Sequence, residues 1–573
     1  MAPMSRTDTE EIKVYLGLAA AILAALHWLW HRFVEPRGGA AALWSSRTLR
    51  LLLASLMVAS ALNYSRYSAT YVWAERVDSY DLCHYYLNAK YFEELSYHGL
   101  YPAIILADNE TGGPYFNSHH PLYQRQDPTT GEYYFQEYDA FVADTTEHAE
   151  IRETFGPEKW SQFKHDFTYL QREVIGFTPS TWEQMLWDHG FNGAPSWVLM
   201  AQPLAELVPV ESIKLLCWTD GIWLLTAIGF TFWAFGGSPA MWLASFLFIS
   251  YSGRWPTFTW AFGRYDYVSL LIIATCLLKK MRPNAAGAAT GLATAFRVFP
   301  AVWLFGPAMK GLFGVIGDVR ARLAHVGSDP KPPWLGGQQI RLLKLAGVFI
   351  GVQVALWGAV SLRYGPEPIK THFENLFEHT TVENLSSMRQ GFTLTTAYTP
   401  SQVVEGTAFA LCAVANGEKN CDIPSFNNRM NAERRQAIKR QEPWRKKVAI
   451  LGVVLLGVGL RKAKDHEAFA MGVVPFFLMA TASYYYFIVR TTLIVVHSGD
   501  LKKFRNAFGL TLLFLVEAAI HWLQVVLPKW RVIHIGSMGW LLTLYCVAMI
   551  VWFNIEAFRA KKVEPIEAAT SEP

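Results

Sequence analysis

Charged residues are scarce in this sequence. Asp, Glu, Lys and Arg make up 17% of its 573 residues, and hydrophobic residues make up 52%. Because soluble domains average about 25% charged residues, this composition excludes an ordinary soluble enzyme and indicates a polytopic membrane protein. The formal net charge is only +4, and the basic residues lie in short loops between apolar runs. Nucleic-acid binders concentrate such residues in a patch or stripe, so we expect no nucleic-acid partner.

Cysteine is also rare, with six residues in the chain. Three lie inside apolar runs, where they are expected to be small core residues: Cys217, Cys276 and Cys546. Only Cys412 and Cys421 lie close together in a polar stretch, which favours a disulfide between them. No group of residues has the spacing of metal ligands, the pair His119 and His120 included. We therefore expect neither a metal nor another cofactor.

Long apolar runs dominate what the sequence does contain. The first two, residues 14–30 and 51–73, reach the length of about 17 to 20 residues that a membrane span needs. The loop between them is basic and carries Arg32, Arg37 and Arg47. By the positive-inside rule this loop lies in the cytoplasm. The chain after residue 73 is therefore predicted to enter the periplasm or an equivalent lumen.

The remaining apolar runs bring the total to roughly thirteen spans: residues 213–235, 240–253, 267–279, a helical hairpin over 282–310, 345–362, 448–460, 468–486, 487–497, 507–526 and 539–558. The hairpin is predicted because basic residues flank both of its ends while Pro300 and Pro307 interrupt it, which places its apex at residues 297–300.

These spans predict an all-α polytopic membrane protein with five parts. The parts are two N-terminal helices (1–73), a first external loop domain with an interfacial helix (74–212), a central bundle with the hairpin (213–363), a second external loop (364–447) and a C-terminal bundle with a cytoplasmic tail (448–573).

The stretch 78–101 opens the longest polar region of the chain. Its apolar and aromatic residues recur at helical spacing: Leu82, Tyr85, Tyr86, Ala89, Phe92 and Leu95. Lys90, Glu93 and Glu94 take the opposite face. This pattern predicts a helix that lies in the membrane interface with one polar face in water.

Two carboxylates, Asp78 and Asp81, lie in the first turn of that helix. Aspartate at a helix N-terminus accepts hydrogen bonds from unpaired backbone amides, so either residue is explained as a cap. A carboxylate at the outer edge of a membrane is equally suited to take a proton from an acceptor hydroxyl while a lipid-linked substrate lies beside it. The residues alone leave both interpretations open.

Ionisable residues inside the apolar runs are the other candidates, because a charge placed in lipid costs several kcal/mol: Asp220, Asp266, Arg297, Arg490, Glu517 and His521. Arg297, at the predicted apex, is suited to bind a phosphate through two parallel hydrogen bonds, or to form an internal ion pair with Asp266 or Asp220. Arg254 and Arg264 flank the outer end of a span and suit an anionic head group, although such arginines commonly contact lipid phosphate alone.

The second external loop holds a further polar cluster: His372, His379, Glu383, Asn384 and Arg389. Polar residues are the default in such a loop. If the cluster serves the same site, we expect Arg389 to assist at a phosphate. The residues expected to line the substrate cavity are His84, Tyr85, Asp266, His379 and Asn384.

Two segments of the chain resemble family 87 of the glycosyltransferases. The segment DLCHYYLNAKYFEELSYHGLY is similar to the family's first external loop, where an Asp-Leu precedes a Tyr-rich helix ending in Gly and Leu-Tyr. The run GRYDYVSLLIIATCLLKKMRPNAAGAATGLATAFRVFPAVWLFGP resembles the family's central region, with its basic residue before an aromatic-Pro break. A later run, KDHEAFAMGVVPFFLMATASYYYFIV, resembles the C-terminal spans.

The resemblance implies a GT-C membrane fold and a polyprenyl-phosphate-linked hexose donor, mannose being the family's best-known sugar. It implies inverting transfer to a lipid or glycan acceptor at the outer face of the cell (inner) membrane. The family's catalytic aspartate corresponds to Asp81, with Asp78 as the alternative. The family's basic residue corresponds to Arg297, where lysine is more usual.

The implied mechanism has Asp81 as general base on the acceptor hydroxyl and requires no metal. Arg297, Arg254, Arg264 or Arg389 would then stabilise the phosphate leaving group. The alternative function is a transporter or flippase of lipid-linked sugars. Transporters of that kind have paired repeats with broken helices in both halves, whereas this sequence predicts a broken segment only once.

Overall fold

The computed structural model describes residues 3–69, 71, 77–112, 122–126, 133–174, 185–188, 190–253, 257–326, 330–378, 388–416, 421 and 423–559. Most of these residues are helical. Six stretches are long and apolar enough to cross a membrane: Arg6–Arg37, Val210–Phe235, Phe299–Leu323, Gly337–Tyr364, Phe504–Val526 and Arg531–Arg559. The chain is therefore an all-α membrane protein, and the class predicted from composition is confirmed.

The first part of the described chain contains, in order, α1 (Arg6–Leu29), α2 (Gly39–Tyr64), α3 (Ser79–Leu82), α4 (Asn88–Lys90), α5 (Phe92–Leu95), α6 (Leu100–Glu110), β1 (Leu122–Gln126), β2 (Tyr133–Glu137), α7 (Tyr138–Ala143), α8 (Thr145–Arg172), α9 (Pro195–Leu207), α10 (Ile213–Phe235), α11 (Gly237–Ile249) and α12 (Asp266–Lys279). Strands β1 and β2 form an antiparallel pair.

The second part contains α13 (Pro283–Phe296), α14 (Phe305–Leu323), α15 (Gly337–Tyr364), α16 (Glu367–Glu378), β3 (Arg389–Gln390), α17 (Phe392–Ala397), α18 (Pro400–Asn416), α19 (Ile423–Leu460), α20 (Asp465–Ala470), α21 (Val473–Met479), β4 (Ala482–Ser483), α22 (Thr491–Ser498), α23 (Phe504–Val526) and α24 (Arg531–Arg559). Strands β3 and β4 pair antiparallel, with Arg389 opposite Ser483.

Helices α1 and α23 pack along each other in opposite directions. Gly17 lies against Ala518, and the Glu10 carboxylate, further toward the N-terminus of α1, contacts His521, further along α23. Small residues at such a contact let two backbones approach closely, which is how helices associate in membranes. This pair ties the N-terminal helix to the C-terminal bundle.

The chain reverses direction after Arg297. Helix α13 ends at Phe296 and Arg297 is extended, with φ −148° and ψ 114°. Helix α15 runs parallel to α13, because Gly287 lies against Leu345 and Gly291 against Val352. It runs antiparallel to α14, whose Gly314 contacts Gln339. The segments on either side of Arg297 are therefore antiparallel, and Arg297 lies at the turn between them.

Two predicted spans, 468–486 and 487–497, are wrong as continuous helices. The segment forms α20 and α21, then leaves the helical conformation at Ala480, pairs β4 with β3, and continues as a 3₁₀ helix (Tyr484–Arg490) into α22. Most of it is buried inside the protein, and the exceptions lie within residues 479–486. An apolar run of this kind has the same composition whether it faces lipid or protein, so composition did not reveal the break.

Helix α19 crosses the predicted boundary at residue 447. It runs without interruption from residue 423 to residue 460 and joins the last part of the predicted second external loop to the span predicted at 448–460. The predicted disulfide is not formed, since Cys412 and Cys421 are both free thiols. Helical spacing continues through the charged segment, and a charge count alone does not show where a helix ends.

The predicted interfacial helix is broken and enclosed. It consists of α3, a π-helical turn (Cys83–Leu87), α4 and α5. The expected polar face is not in water at Lys90, whose Nζ lies 2.6 Å from Asp166 Oδ2 of α8, with both side chains buried. Glu93, by contrast, remains partly exposed. Helix α8 therefore covers a face that the sequence pattern predicted to be in solvent.

We predict that Gly287→Ala destabilises the protein. A Cβ at residue 287 would lie 2.4 Å from the backbone oxygen of Leu345, so α13 and α15 would have to move apart. Such overpacking costs about 1 to 3 kcal/mol. The expected result is a lower thermal unfolding midpoint of the purified protein in detergent.

The matched control is Gly347→Ala on α15, where a Cβ would meet no atom within 4 Å. This variant should keep the wild-type midpoint or raise it slightly, because alanine favours helix. Equal midpoints for the two variants would contradict the close contact of α13 with α15.

Candidate functional site

Asp81 and Arg264 form a buried ion pair at the start of the broken helix. Arg264 Nε lies 3.1 Å from Asp81 Oδ1, and the side chains are 6% and 3% exposed. Asp78 Oδ1 accepts a hydrogen bond from the Asp81 backbone N–H at 3.2 Å, the contact of an N-terminal cap. The two aspartates therefore differ in environment: Asp78 caps the helix, and Asp81 faces a guanidinium.

Asp220 of α10 holds the loop that carries Arg264. Its carboxylate accepts hydrogen bonds from the backbone N–H groups of Arg264 and Tyr265, at 2.9 to 3.1 Å. A buried carboxylate needs such donors, because an unpaired charge in an apolar interior is costly. Asp220, a candidate from sequence, thus positions the arginine through its backbone.

Arg297 lies beside the same pair. The guanidinium carbon of Arg297 lies 5.3 Å from the centre of the Tyr85 ring, and the guanidinium carbon of Arg264 lies 4.3 Å from the same centre. Both cations therefore contact one aromatic ring. Arg297 donates to the carbonyl oxygens of Phe296 and Gly263. Among the described residues its Nε has no hydrogen-bond partner and no carboxylate lies within ion-pair distance.

The proposed ion pair of Arg297 with Asp266 or Asp220 is therefore not made as a direct contact. Asp266 instead accepts hydrogen bonds from Trp197 Nε1 at 3.0 Å and from the backbone N–H of Tyr267 at 2.6 Å. Gly263 is required at this point, because it has φ +64° and a Cβ would lie 2.7 Å from the Trp197 ring.

The two arginines and four tyrosines line a small cavity of about 10 Å³. Its lining residues are Arg264, Tyr265, Tyr267, Arg297, Tyr485, Tyr486 and Ile488. This volume holds about one water molecule. Cations and phenol groups converge here, a combination that suits an anion once the cavity opens.

An apolar groove of about 460 Å³ lies next to this small cavity. Residues from the 3₁₀ helix (Phe299–Leu304), α14, α19 and α21 line it. Phe299 joins the two spaces, because its ring centre lies 4.7 Å from that of Phe476 in the groove and 5.2 Å from that of Tyr486 in the small cavity. An apolar chain in the groove would thus end near the arginines.

A large polar cavity of about 780 Å³ has Asp78 in its wall. The ends of α1, α2 and α24 surround it together with residues of the connecting segments: Arg6, Thr9, Glu10, Lys13, Asn63, Tyr64, Arg66, Tyr71, Tyr80, Trp187, Asp188, Thr257, Trp260, Met388, Tyr484 and Arg531. Asp81 itself lines neither cavity, but it lies three residues after Asp78, which lines the large cavity, and it contacts Arg264, which lines the small one.

Burial raises the pKa of the Asp81 carboxyl to about 7. The guanidinium groups of Arg264 and Arg297 oppose this rise, and the neighbouring carboxylate of Asp78 adds to it. Asp81 Oδ2 is buried and has no hydrogen-bond partner among the described residues. A carboxyl with such a pKa and a free oxygen is suited to exchange a proton near neutral pH.

The remaining predicted site residues are spread more widely. Arg389 is partly buried in β3, within electrostatic reach of Tyr485, Tyr486 and Asp188. His84 lies outside the three cavities and contacts the Tyr101 hydroxyl at 2.9 Å. His372 is buried on α16, and burial lowers its pKa to about 4. Six further residues considered in the sequence lie outside the described residues: His119, His120, Arg254, His379, Glu383 and Asn384.

Three other candidates from the apolar runs, Arg490, Glu517 and His521, are held in contacts between helices. Arg490 and Glu517 form an ion pair at 2.7 Å with both side chains fully buried, and Glu517 also accepts a hydrogen bond from the Tyr251 backbone. His521 contacts Glu10 at 2.6 Å. These residues join helices together, and Glu10 also lines the large polar cavity.

Sequence reasoning missed several residues around the site: Lys13, Arg66, Trp197, Tyr485, Tyr486 and Arg531. The run of three tyrosines at 484–486 inside an apolar segment was the one available signal, because three phenols in a membrane span need polar partners. The basic residues at the helix ends looked like ordinary interface residues.

Comparison of the chain with protein-family models, with curated proteins and with solved structures found no match.

We predict that Asp81 titrates near neutral pH. The infrared band of its protonated carboxyl, isolated as the difference between wild type and Asp81→Asn, should disappear with a midpoint near pH 7. Because the folded state binds this proton more tightly than an unfolded aspartate of pKa about 3.9, the contribution of Asp81 to stability is complete below that pH. It is lost as the pH rises through 7.

The control is the same difference spectrum recorded with Asp78→Asn, whose carboxyl lines the polar cavity. A midpoint near 4 for Asp81 would mean that water reaches the carboxyl and that burial does not govern its pKa.

Proposed function

We propose that the protein is an integral membrane glycosyltransferase that moves a hexose from a polyprenyl-phosphate donor to a lipid or glycan acceptor. The observation that carries the proposal is the position of Asp81. Its ion-pair partner Arg264 lines the small cavity of arginines and tyrosines, and its neighbour Asp78 lines the large polar cavity. A general base that deprotonates an acceptor hydroxyl during its attack on the donor must lie near both substrates.

The donor side is formed by Arg264, Arg297 and the apolar groove. A phosphate between the two guanidinium groups would receive charge-assisted hydrogen bonds. The isoprenoid chain would lie in the groove next to Phe299 and Phe476, where the lining is apolar. The GT-C architecture is part of this proposal, with fewer continuous spans than the predicted thirteen because residues 468–497 form a broken segment.

The reaction follows from this arrangement. Asp81 Oδ2 takes the proton of the acceptor hydroxyl as that oxygen attacks the anomeric carbon from the face opposite the phosphate. The bond between the anomeric carbon and the phosphate oxygen breaks, and its electron pair stays on the phosphate. Arg264 and Arg297 stabilise the negative charge that develops there. The configuration of the sugar is inverted, and the proton remains on Asp81 until it passes to solvent.

The ion pair gives Arg264 two roles in this scheme. It keeps part of the buried Asp81 carboxyl ionised at neutral pH, since a cation within 4 Å favours the charged form. It also presents the remaining guanidinium N–H groups toward the small cavity. Protonation of Asp81 during the reaction would weaken its ion pair with Arg264 at the moment when the phosphate gains negative charge.

The rival function is transport of a lipid-linked sugar between leaflets. Purified protein, radiolabelled polyprenyl-phosphate mannose and a membrane lipid extract separate the two. Label that appears on a new product supports transfer, and unchanged donor that crosses the bilayer of reconstituted vesicles supports transport and contradicts the proposal.

We predict that Asp81→Asn lowers sugar transfer in this assay by about 10²- to 10⁴-fold, the usual contribution of a general base. For the wild-type enzyme, the rate should rise with pH through about 7 as Asp81 loses its proton. Asp78→Asn is the matched variant, because asparagine still caps a helix, and it should retain most of the activity.

Full activity of Asp81→Asn together with inactive Asp78→Asn would move the base by three residues along the chain. Full activity of both variants would remove the general-base mechanism altogether. Unfolding midpoints measured on the same samples separate a chemical loss from a folding loss.

We further predict that Arg297→Gln lowers transfer by about 10²- to 10³-fold, as the loss of a donor to a developing oxyanion does. Arg297→Lys, which keeps the charge but not the two-pronged geometry, should recover part of that loss. Steady-state rates with varied donor concentration measure both. An unchanged rate in Arg297→Gln would exclude Arg297 from the phosphate site.

A further inference from the structure

The large polar cavity contains more cationic groups than its own carboxylates require. Four basic side chains line it, those of Arg6, Lys13, Arg66 and Arg531, against the carboxylates of Glu10, Asp78 and Asp188. A cavity at the outer ends of membrane helices focuses the field of such charges because its walls are of low dielectric constant. Its occupant should therefore carry negative charge.

The three carboxylates are engaged by groups of the protein. Glu10 contacts His521 at 2.6 Å and Lys13 at 3.7 Å. Asp188 accepts a hydrogen bond from the Tyr80 hydroxyl at 2.5 Å. Asp78, as described above, caps α3. These contacts leave the acidic groups of the wall directed largely at the protein and not at a ligand.

Two of the basic side chains, Arg66 and Arg531, are not engaged in this way. Neither forms an ion pair with a carboxylate of the described residues. Arg66 follows α2 and adopts φ +51°, and Tyr67 after it adopts φ +54°. This left-handed conformation is costly for bulky residues. It turns the chain at the cavity wall, where the Arg66 guanidinium lies 4.5 Å from the centre of the Tyr71 ring. Arg531 begins α24 and is exposed.

Aromatic rings complete the wall. Tyr64, Tyr71, Trp187 and Trp260 line the cavity, and the rings of Tyr71 and Trp260 lie 4.9 Å apart. Large rings mixed with polar groups favour a ligand that has both flat apolar faces and many hydroxyls, as a sugar ring does. The volume of about 780 Å³ is within the range of small-ligand sites.

We propose that this cavity is the acceptor site and that it binds a carbohydrate head group carrying an anionic substituent, a phosphate or a carboxylate. Arg66 and Arg531 contact the anion, and the rings of Tyr71 and Trp260 pack against the sugar. The assignment of this cavity to the acceptor rests on the proposed transferase function, whereas its binding of an anionic carbohydrate does not. The acceptor hydroxyl then approaches Asp81 from the side of Asp78.

The test is direct binding to the purified full-length protein in phosphatidylcholine nanodiscs, measured by calorimetry. The probes are mannose 6-phosphate, methyl mannoside and inorganic phosphate. Mannose 6-phosphate should bind about ten- to a hundredfold more tightly than methyl mannoside, the usual effect of a charge-assisted hydrogen bond. The double variant Arg66→Gln/Arg531→Gln should lose that preference.

The matched control is Arg47→Gln, an exposed arginine on α2 at the end far from the cavity, which should bind like wild type. Arg531→Gln alone serves if the double variant does not fold. Equal affinity for the charged and the neutral sugar, or an unchanged preference in the variants, overturns the proposal. Inorganic phosphate binding as tightly as mannose 6-phosphate overturns the carbohydrate part.

The same measurement in nanodiscs of an anionic lipid distinguishes an anionic carbohydrate from the head groups of bulk membrane lipid as the ligand. If phosphatidylglycerol nanodiscs abolish mannose 6-phosphate binding, the site belongs to bulk lipid head groups and the proposal falls. Asp81→Asn should bind mannose 6-phosphate like wild type while failing to transfer sugar. Retained transfer in Asp81→Asn with normal binding would contradict the proposed mechanism and leave the anionic carbohydrate site standing.

Discussion

A carboxylate and a guanidinium removed from water together must lie in contact, because either one alone would carry an uncompensated buried charge. Asp81 and Arg264 obey this constraint, and the surrounding structure is arranged to satisfy it. Asp220 fixes the backbone of the arginine loop, and Asp78 fixes the first turn of the helix that carries Asp81. The pair thereby joins α3 to the loop before α12, which α10 holds through Asp220.

The same constraint shapes the space around the pair. Arg297 shares the Tyr85 ring with Arg264 but has only carbonyl oxygens as direct partners among the described residues. The cluster therefore combines two guanidinium groups with one carboxylate in contact, and both arginines line a small cavity whose other lining residues are four tyrosines and Ile488. A phosphate fits this imbalance better than a neutral ligand does, and this is the physical basis for placing a lipid-phosphate there.

Several features of the site were predictable from local sequence. Arg297 was selected because a charge next to a proline break in an apolar run must face something polar, and the chain indeed turns at that residue. Asp78 as a cap followed from its position before a helical pattern. The convergence of Arg264, Arg297, Tyr85 and Tyr485 was not predictable, because these residues are up to four hundred positions apart and nothing in a single sequence reports distance in space.

The sequence by itself determined the class of the protein, since a chain so poor in charge and so rich in apolar runs has to bury its backbone in helices within a membrane. It also determined the bounds of α10 and the end of α23, because apolar length is a local property, whereas α15 begins at Gly337, eight residues before its predicted start. Only the tertiary structure decided that α8 covers Lys90, that residues 468–497 form a broken buried segment, and that Asp81 pairs with Arg264. The reason is that burial against protein and burial against lipid select the same residues, so hydropathy does not distinguish them.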